Sequence, residues 1–192
     1  MNNYDKYNFI IQYILQYITL QYITMGGGIL PVAIKNNQLY FLLGKENDIA
    51  DTPGWADFGG GNENNETNYQ AAIREGVEEL NGFLGSVNKM KKVVRNNKIL
   101  HLKNKRKTYE SILFLTKYNE DLVYYFNNNY RFLIKQLPHV KKEHNGLLEK
   151  SEIKWFSISD LQREKKYRIF YKEFVHMILK HLPEIKNKIR QL

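Results

Sequence analysis

The sequence predicts a mixed α/β fold, and three observations carry that prediction. Two apolar runs, Ile29–Lys35 and Leu39–Lys45, flank the turn-prone pair Asn36-Asn37 and read as a β-hairpin. After Thr67, the residues Tyr69, Ala72, Ile73, Gly76, Val77 and Leu80 recur at helical spacing and form one apolar stripe. Further on, the short apolar run Ile153–Phe156 reads as a strand. A second helical pattern, Ile169–Leu182, then aligns Phe170, Phe174, Met177 and Ile178 until Pro183 interrupts it.

Taken in order, the chain opens on a repetitive stretch. Phe9–Thr24 carries Gln-Tyr-Ile three times, with apolar residues every three to five positions. This reads as a helix lying on the core or on a partner, or as an extension upstream of a second start at Met25. It is shorter than the ~20 apolar residues of a membrane span, and it lacks the basic start and small-residue cleavage site of a signal peptide. Leu30 stands where a myristoylation motif starting at Gly26 would need Ser or Thr. The expected division is therefore an extension over 1–24 and one domain over 25–192, with no membrane association. Beyond the hairpin, Thr67 is the N-cap expected for the striped helix and Gly82 its left-handed stop. Ser86–Val94, Lys98–Leu102 and Thr108–Lys117 read as strands. Asn127–Asn129 separates two aromatic-rich stretches and reads as a break in a helix or an insertion. Ser159 is placed as the cap of a helical turn.

Composition narrows the chemistry. The 192 residues include 29 Lys and Arg against 20 Asp and Glu, a net charge of +9, which favours polyanionic partners: nucleotides, RNA, inositol phosphates or a membrane surface. There is no cysteine, which excludes a disulfide framework and thiolate zinc sites and fits a reducing, cytoplasmic compartment. The five histidines form no H-E-x-x-H pattern. Neither a G-x-S-x-G nucleophile turn nor a glycine run into Gly-Lys-Ser/Thr is present, so serine hydrolases and P-loop enzymes have no support.

Against this basic background the striped helix gathers Glu75, Glu78 and Glu79, placed off its apolar face. Like charges one turn apart cost a few tenths of a kcal/mol, and the helix dipole near its C-terminus opposes them as well. A divalent cation between them would remove both penalties, and carboxylate oxygens are hard ligands suited to Mg²⁺ or Mn²⁺. A solvated acidic face is the simpler reading of these three residues alone. The wider spacing speaks against it: Gly60, Glu66, Arg74, Glu75, Glu78 and Glu79 form G-x5-E-x7-R-E-x-x-E-E.

That pattern, from Gly60 to Gly82, closely resembles the signature of the Nudix hydrolase family, a loop–helix–loop of 23 residues. Phe58, Gly59, Gly60 and Glu63 resemble its flanking segment. Gly76 departs from the family's usual aliphatic residue, and Asn81 from its usual glycine. The hairpin before the helix and the Trp155 strand with its following helix extend the resemblance over about Met25–Leu192. It implies an α/β/α sandwich with a mixed β-sheet and cleavage of a diphosphate linkage in a nucleoside diphosphate joined to another group. It further implies Mg²⁺ or Mn²⁺ held by Glu75, Glu78, Glu79 and the Gly59 carbonyl. Gly60, Glu66 and Arg74 would orient the loop and helix, with a Glu66–Arg74 ion pair preferred over Arg74 as a substrate clamp. A general base is also needed; the candidates are Glu78, Glu79, Glu149 and Glu152, with Glu143 behind them.

Substrate choice is the least legible part. The stretch from Lys89 to Lys107 carries Lys89, Lys91, Lys92, Arg95, Lys98, Lys103, Lys105, Arg106 and Lys107. It is a solvated edge or a track for RNA phosphates or a phosphorylated inositol. Lys103, Lys105, Arg106 and Tyr109 are the substrate-binding candidates. Trp55, Tyr109, Tyr124, Tyr125, Phe126 and Trp155 could stack on a base, although most aromatics belong to a core. The main expectation is a nucleotide-type diphosphate substrate. An RNA-cap or RNA 5′-end hydrolase, a diphosphoinositol polyphosphate phosphohydrolase and a nucleotide-sensing or partner-binding module stay open, as does a homodimer.

Overall fold

The computed structural model describes residues 25–50, 52–137 and 148–192; the 1–24 extension and Glu143 lie outside the described residues. Strand β1 (Gly26–Lys35) and strand β2 (Gln38–Glu46) form the expected hairpin, with Val32 opposite Phe41 and Lys35 opposite Gln38. Asn36 and Asn37 both take positive φ, 50° and 59°, the left-handed pair that a tight hairpin turn needs and that Asn tolerates. Past Val32 and Phe41 the two strands part. Strand β3 (Trp55–Ala56) joins β2, and strand β4 (Phe58–Gly61) joins β1, so this segment fills the gap. On the other side of β1 runs β6 (Tyr109–Leu115), its parallel partner, with β5 (Lys98–Lys103) antiparallel outside it as an edge strand. Strand β7 (Lys150–Ser157) pairs with the far side of β2.

Alternation along these strands sends side chains to two faces. Ile29, Ala33, Leu42, Ile112, Phe114, Ile153 and Trp155 pack on one side. Helices α1 (Asn68–Glu79), α2 (Val87–Asn97) and α3 (Glu120–Gln136) cover it with Ala72, Ile73, Met90, Val94, Leu122 and Phe126. Leu30, Val32, Phe41, Leu43, Leu113 and Phe156 pack on the other. There α4 (Ile158–Arg163), α5 (Tyr171–Lys180) and α6 (Leu182–Ile189) contribute Leu161, Phe174, Ile178, Ile185 and Ile189. The result is the expected α/β/α sandwich with a mixed sheet. Among the described residues no helix is long and apolar enough to cross a membrane.

Three local expectations are corrected. Ser86–Val94 is not a strand: Val87–Asn97 is helical, because Met90 and Val94, one turn apart, are the buried positions while the lysines between them face water. Asn127–Asn129 does not break a helix, since α3 runs through it. Asn127 instead exchanges two hydrogen bonds with the backbone of Ile153, donating at 3.1 Å and accepting at 2.8 Å, and so serves the free side of β7 as a strand neighbour would. The cap of α4 is Ser157 rather than Ser159; it forms a capping box with Asp160. The interruption expected at Pro183 is present: α5 ends at Lys180, and Pro183 sits in the first turn of α6, where a missing N–H costs nothing.

Helix α1 lies close on β1 because both surfaces are cut back to glycine. A Cβ on Gly27 would fall 2.2 Å from the Asn68 carbonyl oxygen, and one on Gly76 would fall 2.3 Å from Ile29 Cδ1. Gly76 departs from an aliphatic residue because Ile29 occupies that volume. Behind β4 sits a buried polar layer. Asp57 is 1% exposed, and its Oδ1 accepts from the Tyr109 hydroxyl at 3.1 Å, with Ser111 and Tyr171 beside it. Burial pushes the Asp57 carboxyl up to about 6, against the opposing pull of Ser111, Lys150 and Tyr109.

Two outcomes follow. Gly76→Ala gains about 1 kcal/mol of helix propensity but meets Ile29. The net is a loss of about 1–2 kcal/mol by urea unfolding, and combining it with Ile29→Ala gives less than the sum of the single losses. For Asp57, a raised folded pKa means the native state binds the proton more tightly than the unfolded chain. Its contribution is fully favourable below the unfolded pKa and is lost as pH rises towards about 6. Asp57→Asn therefore gains about 2–3 kcal/mol relative to the parent between acidic and neutral pH, read from urea midpoints across that range.

Candidate active site

The acidic helix is fixed at both ends. Thr67 accepts from the Gln70 backbone while the Gln70 side chain accepts from the Thr67 N–H at 2.9 Å, a full capping box. At the other end Asn81 takes the left-handed conformation with φ 49°, and the Gly82 N–H closes on the Val77 carbonyl at 2.9 Å. Asn81 thus supplies what a glycine would supply there.

Within this frame Arg74 organises the loop. Its Nε and Nη2 grip Glu66 at 3.0 and 2.9 Å, and Nη2 also reaches the Gly61 carbonyl at 3.0 Å. Nη1 donates to Glu75 at 2.9 Å and to Glu78 at 3.1 Å. The expected Glu66–Arg74 pair is present, and it holds Glu66 below the usual carboxylate range. The Glu75 carboxylate lies directly on the Cα of Gly60, where a Cβ would fall 2.4 Å from Oε1. Half-buried there, the Glu75 carboxyl is raised, first by desolvation, with Arg74 opposing and Glu78 and Glu149 adding to it.

Glu79 departs from expectation. It is 3% exposed, inside the core side of α1 rather than off it. Its Oε2 accepts from the Gly59 N–H at 2.8 Å, and its Oε1 lies 3.0 Å from Lys150 Nζ. Lys150 is fully buried and also bonds Glu46, which in turn takes Arg168 Nη1 at 2.9 Å. Arg168 is fixed by the Thr52 hydroxyl. Two carboxylates and two cations thus balance within the core. Burial raises the Glu79 carboxyl well above its ordinary range although Lys150 opposes it. Burial alone would lower the Lys150 ammonium; Glu79 and Glu46 outweigh it and hold it up. Nothing in the local sequence marks Lys150 or Arg168: the Lys150–Glu46 bond spans 104 residues, and only the need of buried carboxylates for cations points to them.

The other candidates separate. Glu149 is half-buried and close enough to Glu75 to repel it. Glu152 instead reaches towards Lys45 at 3.8 Å. Lys103 pairs with Glu110 at 2.8 Å, the Lys105 N–H bonds Glu173 at 2.9 Å, and Arg106 is exposed at the β5–β6 turn. Tyr109 turns its hydroxyl inward beneath Gly28 and Gly59 and packs its ring edge-on against Phe170 and Phe174. Trp55 and Phe126 are core. Trp155 stacks on Tyr118 and donates to the Asn119 carbonyl, whereas Tyr124 and Tyr125 stay exposed on α3.

Among the described residues no three Asp, Glu or His side chains meet at metal-ligand spacing. The acidic groups rest instead on Arg74 and Lys150. Their chemistry nevertheless fits a hard divalent cation: Glu75 and Glu78 share one guanidinium nitrogen, so both oxygens lie within reach of a single positive centre.

A family model described as NUDIX domain matches residues 28–178. In structure the chain resembles a bifunctional NMN adenylyltransferase/ADP ribose pyrophosphatase from Francisella tularensis, with TM-score 0.52 and 18% identity over 93% of this chain. It spans 47% of that longer protein. It also resembles a C. elegans Ap4A hydrolase, with TM-score 0.51 and 15% identity over 84% of this chain and 98% of the other. No curated protein matches it by sequence. The domain match runs over most of the chain and encloses both the acidic helix and its glycine loop, so the chain belongs to the Nudix family.

Proposed function

We propose that this Nudix protein is a hydrolase that cleaves the diphosphate linkage of a nucleoside diphosphate joined to a second group, with Mg²⁺ or Mn²⁺ as cofactor. The observation that carries this reading is the delivery of Glu75 and Glu79 by one doubly capped helix to the Gly59–Gly60 backbone, with Glu78 held beside Glu75 by Arg74. The Francisella relative was crystallised with AMP and a manganese ion, the same ligand class. The absence of cysteine supports a cytoplasmic location.

Glu75, Glu78 and Glu79, with the Gly59 carbonyl, would hold the cation. Bound there, it would supply charge neutralisation for the diphosphate and acidify water. The chain's own work is positioning. Arg74 fixes Glu75 and Glu78 relative to the Glu66 loop, and it is too heavily engaged to serve as a substrate clamp. Lys150 and the Gly59 N–H hold both oxygens of Glu79. Glu78 is the most exposed of the three, with 42% of its side chain accessible, and faces arriving substrate. Of the two late glutamates, Glu149 is the better placed to accept a proton from water, because it neighbours Glu75 while Glu152 is drawn towards Lys45.

A panel of nucleotide sugars, dinucleoside polyphosphates and nucleoside triphosphates, each with Mg²⁺ and Mn²⁺, tests the reading. At least one is cleaved at a phosphoanhydride, and Glu78→Gln and Glu79→Gln each lower kcat by about 10²–10⁴-fold; undiminished variants or an inert panel sink it. Lys150→Met leaves Glu79 and Glu46 short of a buried cation and costs about 3–5 kcal/mol in urea unfolding. Adding Glu46→Gln recovers part of that loss.

A further inference from the structure

The net positive charge is not spread over the molecule. Residues 87–107 and 180–192 together hold 13 of the 29 Lys and Arg but one of the 20 Asp and Glu, so the remainder carries 16 basic against 19 acidic residues. These two segments border the same edge of the sheet. Helix α2 packs across β6 on one face of the sheet, and α6 packs on β5 on the other, so both flank the edge strand β5. Lys91, Lys92 and Arg95 on α2, and Lys186, Lys188 and Arg190 at α6, face solvent with no carboxylate partner among the described residues. Elsewhere Lys35, Lys45, Arg74, Lys150, Arg163 and Arg168 face carboxylates, and acidic residues outnumber basic ones. Between α5 and the end of β5 lies a cleft of about 550 Å³, lined by Lys103, Lys105, His176, Lys180 and His181, with Glu173 already bonded to the Lys105 N–H.

We propose that this end of the sheet is a docking surface for the phosphodiester backbone of single-stranded RNA. A compact anion would fill the cleft but leave α2 unused. The basic residues extend along α2, a helix of about 16 Å, and around the edge strand of about 20 Å to α6, which suits a chain of phosphates; on the strand itself Lys103 is already paired with Glu110. The surface also leads to the carboxylates. The Gly26 N–H bonds the Thr108 carbonyl at the base of the basic turn, and Gly26 pairs on its other side with Gly61. Two strand spacings, about 10 Å, thus separate that turn from the loop beneath Glu75. RNA is the polyanion whose chain begins with a phosphoanhydride at its 5′ end, so one ligand satisfies both regions. That last step rests on the diphosphatase reading; the docking surface does not.

The test is binding of a 5′-triphosphorylated single-stranded RNA of about 20 nucleotides, a length that covers the surface, to the full chain across a salt series. The log–log salt slope is steep, and Lys91→Gln/Lys92→Gln/Arg95→Gln flattens it by about 2 while weakening affinity about tenfold at moderate salt. The same variant hydrolyses the best small diphosphate at the parent rate. Binding insensitive to salt, an unchanged variant, or tighter binding of inositol hexakisphosphate or anionic vesicles than of RNA would overturn the proposal. Binding and hydrolysis are read separately: salt-dependent, variant-sensitive RNA binding by a chain inert towards every diphosphate upholds the surface and strikes only the diphosphatase reading.

Discussion

The buried chain of charges from Glu79 through Lys150 and Glu46 to Arg168 is the constraint on which the rest of the site depends. It ties α1, β7, β2 and the segment before α5 into one arrangement. Such a network is a weak source of net stability, because each ion must leave water. Its effect is selective: only one register of β7 against β2 puts Lys150 between the two carboxylates, and any other leaves charges buried alone. The Glu79 carboxylate then fixes the Gly59 N–H, and with it the course of β4.

The glycines complete what the charges begin. Gly26, Gly27 and Gly28 lie opposite Gly61, Gly60 and Gly59 across β1 and β4. With no side chains on this seam, α1 settles onto Gly27, the Glu75 carboxylate onto Gly60, and the Tyr109 hydroxyl under Gly28 and Gly59. Close approach of backbone brings carboxylates to main-chain groups, and the Arg74 brace keeps them there.

Much of this was legible in the sequence where the determinants are local. The Asn36-Asn37 turn, the stripe and caps of α1 and the Glu66–Arg74 brace all reside within short windows. Helix α2 is hard to tell from a strand in the sequence because its buried residues are the β-branched Val94 and a lone Met90, while lysines dominate the rest. The role of Asn127 leaves no local mark, because it bonds a strand from another part of the chain. The burial of Glu79 and the identity of its counter-ion were not legible at all. A helical period shows that Glu79 borders the apolar stripe, but only the arrival of Lys150 makes that position tenable for a carboxylate.

The late position of Lys150 along the chain shapes how the fold comes into being. During synthesis Glu46 emerges 104 residues ahead of the lysine that neutralises it. The central strand β1 likewise waits for its parallel neighbour β6, and such distant pairings slow folding. A nascent chain leaving the ribosome can wind the acidic helix early, yet Glu79 keeps its hydration shell until β7 has been made. The buried setting of Glu79 therefore arrives with completion of the sheet, and a partly synthesised polypeptide carries the motif without its folded surroundings.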